Sequence, residues 1–208
     1  MFSLFELLSY IRRFRDALKV GPDAPFIARR MFITNSIDSI LSSLGVNIGA
    51  YSSDLDPKIM ILAVLGGSLS LSIVSGFIGV FVSERAERVR ELKELEKKLG
   101  ARLKSSLYAK SITLIPLYVA LWSSIGMLVF PLIIVIPYVL ALINLLKMWE
   151  AFVISIGITL TSLTVIGAYL GFVTGEKIQI SALRTLGLGL LALISVTLFK
   201  LFFKTLIG

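Results

Sequence analysis

Neither cysteine nor histidine occurs anywhere in the chain. Disulfides, thiolate zinc sites, cysteine nucleophiles and imidazole acid–base chemistry are therefore excluded. Only carboxylates, amides, hydroxyls, carbonyls and thioethers are left to bind a metal, and that donor set favours hard or borderline divalent ions. Charge is scarce too: charged residues make up 16% of the 208 residues, against 56% hydrophobic, with mean hydropathy +0.91. There is no phosphate-binding glycine loop, nucleophile elbow or His-Glu zinc motif. No enzyme activity and no resident cofactor are expected.

What the chain has is long apolar runs with charges clustered between them, the pattern of a polytopic helical membrane protein. Barrel strands would be about ten residues long and alternating; these runs are mostly longer and do not alternate. Helices satisfy their own backbone hydrogen bonds in lipid, so the expected class is an all-α integral membrane protein. The net charge of +8 reads as the lysine and arginine excess of cytoplasmic loops, and no nucleic-acid partner is expected.

Residues 1–30 form the first unit. Leu4, Leu7, Leu8, Ile11, Phe14 and Leu18 recur at helical spacing, with Arg12, Arg13, Arg15, Asp16 and Lys19 opposite. This predicts an amphipathic helix lying in the membrane interface, ended by Gly21-Pro22-Asp23. Charge follows its apolar part, unlike a signal peptide. The rest, 31–208, is one transmembrane domain with spans expected at about 31–51, 59–83, 107–130, 150–173 and 182–207. A charged helix over 84–106 extends the second span. Pro131 is expected to close the third span, with 132–147 either a sixth span or, as favoured here, an outer connection. Segments 1–30 and 84–110 carry 6 and 9 Lys/Arg, so the N-terminus is expected on the cytoplasmic side of the membrane. The second span is rich in small residues (Gly66, Ser68, Ser70, Ser72, Ser75, Gly76, Gly79), a spacing that permits close helix packing or a dimer.

Asp38 is the residue most in need of explanation. A carboxylate inside an apolar span is costly and by default marks an ion or proton path. Asn35, Asp38, Ser42, Gly45 and Gly49 are spaced 3, 4, 3 and 4, which puts them on one helix face. Asn47 lies further along. Oxygen donors with glycines suit a cation path; the competing reading is a polar packing face. Glu84, Glu87, Glu91 and Glu94 form a second group, within an arc of about 80° at 100° per residue. Clustered carboxylates suit divalent cations. The competing reading is a solvated helix with Glu84–Arg88 and Glu94–Lys98 ion pairs.

Several stretches resemble the vacuolar iron transporter family in its prokaryotic and archaeal branches. They are Asp38-Ser39-Ile40-Leu41-Ser42-Ser43 in the first span and Gly79-Val80-Phe81-Val82-Ser83-Glu84-Arg85-Ala86-Glu87 at the end of the second. Gly126, Pro131 and Pro137, then Thr174-Gly175-Glu176-Lys177, Ser181-Ala182-Leu183-Arg184, Gly187 and Gly189, add to the likeness. The sequence departs from the pattern at Ser39, Val80 and Gly76, where the family has Gly, Glu and often Met. The resemblance implies a five-span homodimer that exchanges Fe²⁺ or a related divalent ion such as Mn²⁺ for protons. Asp38 would lie in the path, with Asn35, Ser42 and Asn47 supplying neutral oxygens. Glu84 and Glu87, and then Glu91 and Glu94, would collect metal at the cytoplasmic mouth. The alternative is a structural or regulatory membrane protein that keeps the fold without transport. The expected partners are the lipid bilayer, the divalent ion and a second copy.

Overall fold

A computed structural model describes residues 21–53, 55–103 and 106–207. The expected amphipathic helix over residues 1–20 lies outside them. The described part is all helix: α1 (Ala24–Ser52), α2 (Pro57–Leu99), α3 (Leu107–Ile134), α4 (Ile136–Leu142), α5 (Met148–Thr174) and α6 (Ile178–Ile207). Proline at the first turn starts α1, α2 and α4, and left-handed glycines, Gly100 and Gly175, follow α2 and α5.

Among the described residues, four stretches are long and apolar enough to cross a membrane: Pro57–Leu99, Leu107–Leu142, Met148–Thr174 and Ile178–Phe199. Their outward surfaces carry Leu62, Val74, Val165, Phe172, Leu183 and Leu191, all exposed. The protein is an all-α integral membrane protein. Helix α1 matches α3, α5 and α6 in length but is more polar, and it packs against α2, α3, α5 and α6. A helix wrapped by protein needs less apolar surface than one facing lipid, which accounts for its serines and asparagines.

The core is stacked in three layers along the bundle. Ala24, Ala28, Ile115 and Val119 form one at the end that carries the charged half of α2, here termed the basic end. Ile33, Ile40, Ile134, Leu163 and Ile166 fill the middle. Ala50, Met60, Tyr138, Ala141 and Ala151 close the opposite end. Glycines set the closest approaches. A Cβ at Gly126 would stand 2.6 Å from the Phe32 carbonyl oxygen and 2.8 Å from Ser36 Oγ. On α5, Gly171 gives the same closeness to Ile178 and Ser181 of α6.

The second span and the charged helix form one continuous rod. Its middle, Ser72–Gly79, is π-helical. There Ser72 Oγ donates to the Ser124 carbonyl at 3.1 Å and Ser124 Oγ donates back to the Ser72 carbonyl at 3.3 Å. Of the small residues, Ser68, Ser72 and Gly76 turn inward, while Gly66, Ser70, Ser75 and Gly79 face out.

Pro131 does not end the third span, as the sequence suggested. Helix α3 runs through it to Ile134. The break comes at Val135, and α4 follows. Tyr138 on α4 packs with Met60 and Ala151, so the segment after Pro131 stays at the end opposite the basic one and does not cross back. Proline inside a helix leaves the carbonyl four residues earlier without its donor, a fault lipid cannot repair. Here Ser39 Oγ donates to the Met127 carbonyl at 2.6 Å, the very group Pro131 orphans. At the second break, the Tyr138 amide bonds Val135, which releases the Ile134 carbonyl; Ser155 Oγ takes it at 3.0 Å.

Replacing Ser39 by Ala is expected to cost about 1–3 kcal/mol, the penalty of an unmet buried carbonyl. Pro131→Ala restores an amide donor for Met127. In the Pro131→Ala background Ser39→Ala should therefore cost much less. Thermal unfolding of the four proteins in detergent measures the coupling.

Candidate functional site

Asp38 is the fifteenth of the 29 residues of α1, so it sits about 21 Å from either end at 1.5 Å per residue. Its side chain is exposed on the outer surface of the single chain. Among the described residues it has no hydrogen-bond or ion-pair partner. Thr34 and Ser42, one turn to either side, are exposed as well, and Gly49 continues the column. Thr34 was missed in the sequence, although its spacing of four from Asp38 was there to be read.

The two asparagines do not join this column. Asn35 turns toward α3 and donates to Ser123 Oγ. Asn47 is fully buried on the other side of α1 and donates to Ser155 Oγ at 2.9 Å. The single face expected for Asn35, Asp38 and Ser42 is thus divided, because α3 lies close enough to capture Asn35. Asn47 belongs to the hydrogen-bond chain that supports the α3–α4 break. Among the described residues its Oδ1 meets no hydrogen-bond partner, nor do the buried Ser43 Oγ and Tyr138 hydroxyl.

Glu84, Glu87, Glu91 and Glu94 of α2 are occupied by arginines. Arg88, with its side chain only 6% exposed, bonds Asp23 at 2.5 Å, Glu84 at 3.2 Å and Glu91 at 3.4 Å. Tyr108 of α3 donates to Glu91 at 2.9 Å. Burial pulls the Arg88 pKa down, but the Asp23 hydrogen bond and the charges of Asp23, Glu91 and Glu84 outweigh it and the pKa is raised. Asp23 stands at the N-cap of α1, yet its side chain makes no capping bond; it reaches Arg88 instead. Arg88 therefore ties the start of α1, the charged half of α2 and the start of α3 together. On the other side of the rod, Arg90 pairs with Glu87 at 2.9 Å and Glu94 at 3.7 Å. The expected Glu84–Arg88 pair is present, while Glu94 meets Arg90 rather than Lys98. Among the described residues, no three carboxylates converge into a group able to hold a metal.

Two comparisons bear on this architecture. The model of the VIT family matches residues 96–199, which include α3, α4, α5 and most of α6. The chain belongs to the VIT family. A similar relative is the uncharacterized protein MJ0645 of Methanocaldococcus jannaschii, 34% identical over 161 residues, covering 74% of this chain and 79% of the relative. Membership of the family implies membrane transport of divalent metal ions. The family match lies outside Asp38 and Glu84–Glu94, so the roles of those residues rest on their geometry.

Arg88→Ala leaves three carboxylates without their shared cation. Asp23 and Glu91 are partly solvated, which reduces the loss to about 1–3 kcal/mol from the 3–5 typical of a fully buried pair. Lysine should recover only part, because a point charge cannot replace the guanidinium fork. Thermal unfolding gives the cost. Faster hydrogen exchange at the first turns of α1 should accompany it.

Proposed function

We propose that the protein carries Fe²⁺ or Mn²⁺ across the membrane in exchange for protons, and that Asp38 is the ion ligand. The carrying observation is Asp38 itself: a mid-helix carboxylate on an outer face, without a partner among the described residues. Lipid is an untenable neighbour for that group. A second copy related by a two-fold axis would cover it with the same face, setting Thr34, Asp38 and Ser42 against their equivalents. Two Asp38 carboxylates would then match the charge of one divalent cation, with Ser42 and Thr34 hydroxyls completing an oxygen donor set. Protonation of the pair on release would supply the exchange. In this reading α1 is the fifth span, and the outward Gly66, Ser70, Ser75 and Gly79 of α2 allow the close approach of the partner.

Arg88 and Arg90 hold the glutamates of α2 in place. Glu87 and Glu94 are the more exposed pair and are the better candidates to meet an arriving ion. The basic end faces the cytoplasm in this reading, following the excess of arginine and lysine. The rival reading, a membrane protein that keeps the fold without transport, draws on the pairing of all four glutamates.

Uptake of Fe²⁺ and Mn²⁺ into proteoliposomes, with internal pH recorded, is the test. Wild type should take up at least one ion with proton movement in the opposite sense, and Asp38→Asn should abolish both. Uptake unchanged by the substitution overturns the role of Asp38; no uptake by folded, inserted wild type favours the rival. The natural absence of cysteine makes the dimer simple to check. Ser42→Cys should give a disulfide-linked dimer in membranes under mild oxidation, whereas a cysteine at lipid-facing Phe172 should not.

A further inference from the structure

Arg29 and Arg30, near the start of α1, share one groove, and neither is engaged as three other arginines of the bundle are. Arg88, Arg90 and Arg184 each hold a carboxylate. Arg29 has only the Phe26 ring, 5.5 Å away, and Arg30 is exposed; neither is ion-paired among the described residues. Both line a groove of about 440 Å³ between α1 and α5. Below the guanidinium groups its walls are apolar: Ile33 and Ile37 from α1, Leu170 and Val173 from α5. The groove thus has a cationic head and a greasy body. From Arg30 to Ile37 it follows α1 for about 10 Å.

We propose that this groove binds an anionic phospholipid, with its phosphate between Arg29 and Arg30 and one acyl chain along Ile33, Ile37, Leu170 and Val173. Guanidinium groups pair with phosphate through parallel hydrogen bonds, and basic pockets between membrane helices favour anionic head groups. Charge argues against the other occupants. Residues 1–20 carry Arg12, Arg13, Arg15 and Lys19 against Glu6 and Asp16, so that segment has the sign of the groove. A second copy offers little better, because the carboxylates Asp23 and Glu176 are already paired with Arg88 and Arg184. Thr34 also lines the groove, so the site borders the Asp38 column, but lipid binding there does not depend on which ion is carried.

Native mass spectrometry of the full chain, titrated with phosphatidylglycerol and phosphatidylcholine of identical chains, tests the proposal. Wild type should prefer phosphatidylglycerol by about tenfold. Arg29→Gln/Arg30→Gln should lose that preference, Leu170→Trp should weaken both lipids by filling the groove, and Lys177→Gln should change neither. A preference that survives the double substitution overturns the head-group contact. Phosphatidylglycerol binding untouched by Leu170→Trp, or displaced by millimolar inorganic phosphate, reduces the site to a free-anion site and overturns the lipid. A change in dimer fraction with no change in lipid binding assigns the groove to the second copy and also overturns it. A readout on wild type guards against misfolded variants. Phosphatidylglycerol should raise the thermal midpoint more than phosphatidylcholine at low salt, and the difference should shrink at high salt. A difference that ignores salt counts against the proposal.

Discussion

Inside a bilayer a backbone carbonyl cannot turn to water, and this constraint governs the architecture. Two prolines late in the third span, Pro131 and Pro137, break the ladder of the helix that α1 packs on most. Ser39 answers the first break and Ser155 the second, with Asn47 holding Ser155. Ser36 adds a bond to the Gly126 carbonyl at 3.2 Å, where the missing Cβ of glycine lets α1 come close. Part of the polarity of α1, Ser39 directly and Asn47 through Ser155, thus answers the breaks around Pro131 and Pro137. The hydroxyls replace donors that the chain itself removed.

That response divides α1 lengthwise. One side is committed to α3 and α5 through Asn35, Ser36, Ser39 and Asn47. The other keeps Thr34, Asp38 and Ser42 uncommitted. A polar residue in a membrane helix has two broad uses, repair of backbone or contact with something that moves, and here the two lie on different faces of one helix. In the proposed reading the uncommitted face takes the ion and the second chain that would shield it.

The basic end follows a parallel logic in charge. Arg88 gathers Asp23, Glu84 and Glu91, and so fixes three helix segments with one buried cation that its partners keep ionised. With those carboxylates engaged, Arg29 and Arg30 have no counter-charge among the described residues. The same economy of acidic residues that stabilises the bundle creates the cationic groove.

The sequence by itself determined the class. Hydropathy reports how much apolar surface a segment presents, and among the described residues four helices are long and apolar enough to cross a membrane. It also picked out Asp38, since an ionisable group in a span is conspicuous whatever surrounds it. The tertiary structure alone decided which neighbours the other polar residues meet. Helical periodicity relates Asn35 to Asp38 in angle, but it cannot tell that α3 stands close enough to take the asparagine. It put four glutamates in one arc, yet could not tell that Arg88 and Arg90 would draw them to opposite sides. It marked Pro131 as an end, because nothing in the local chain reveals that a serine some ninety residues earlier supplies what the proline lacks.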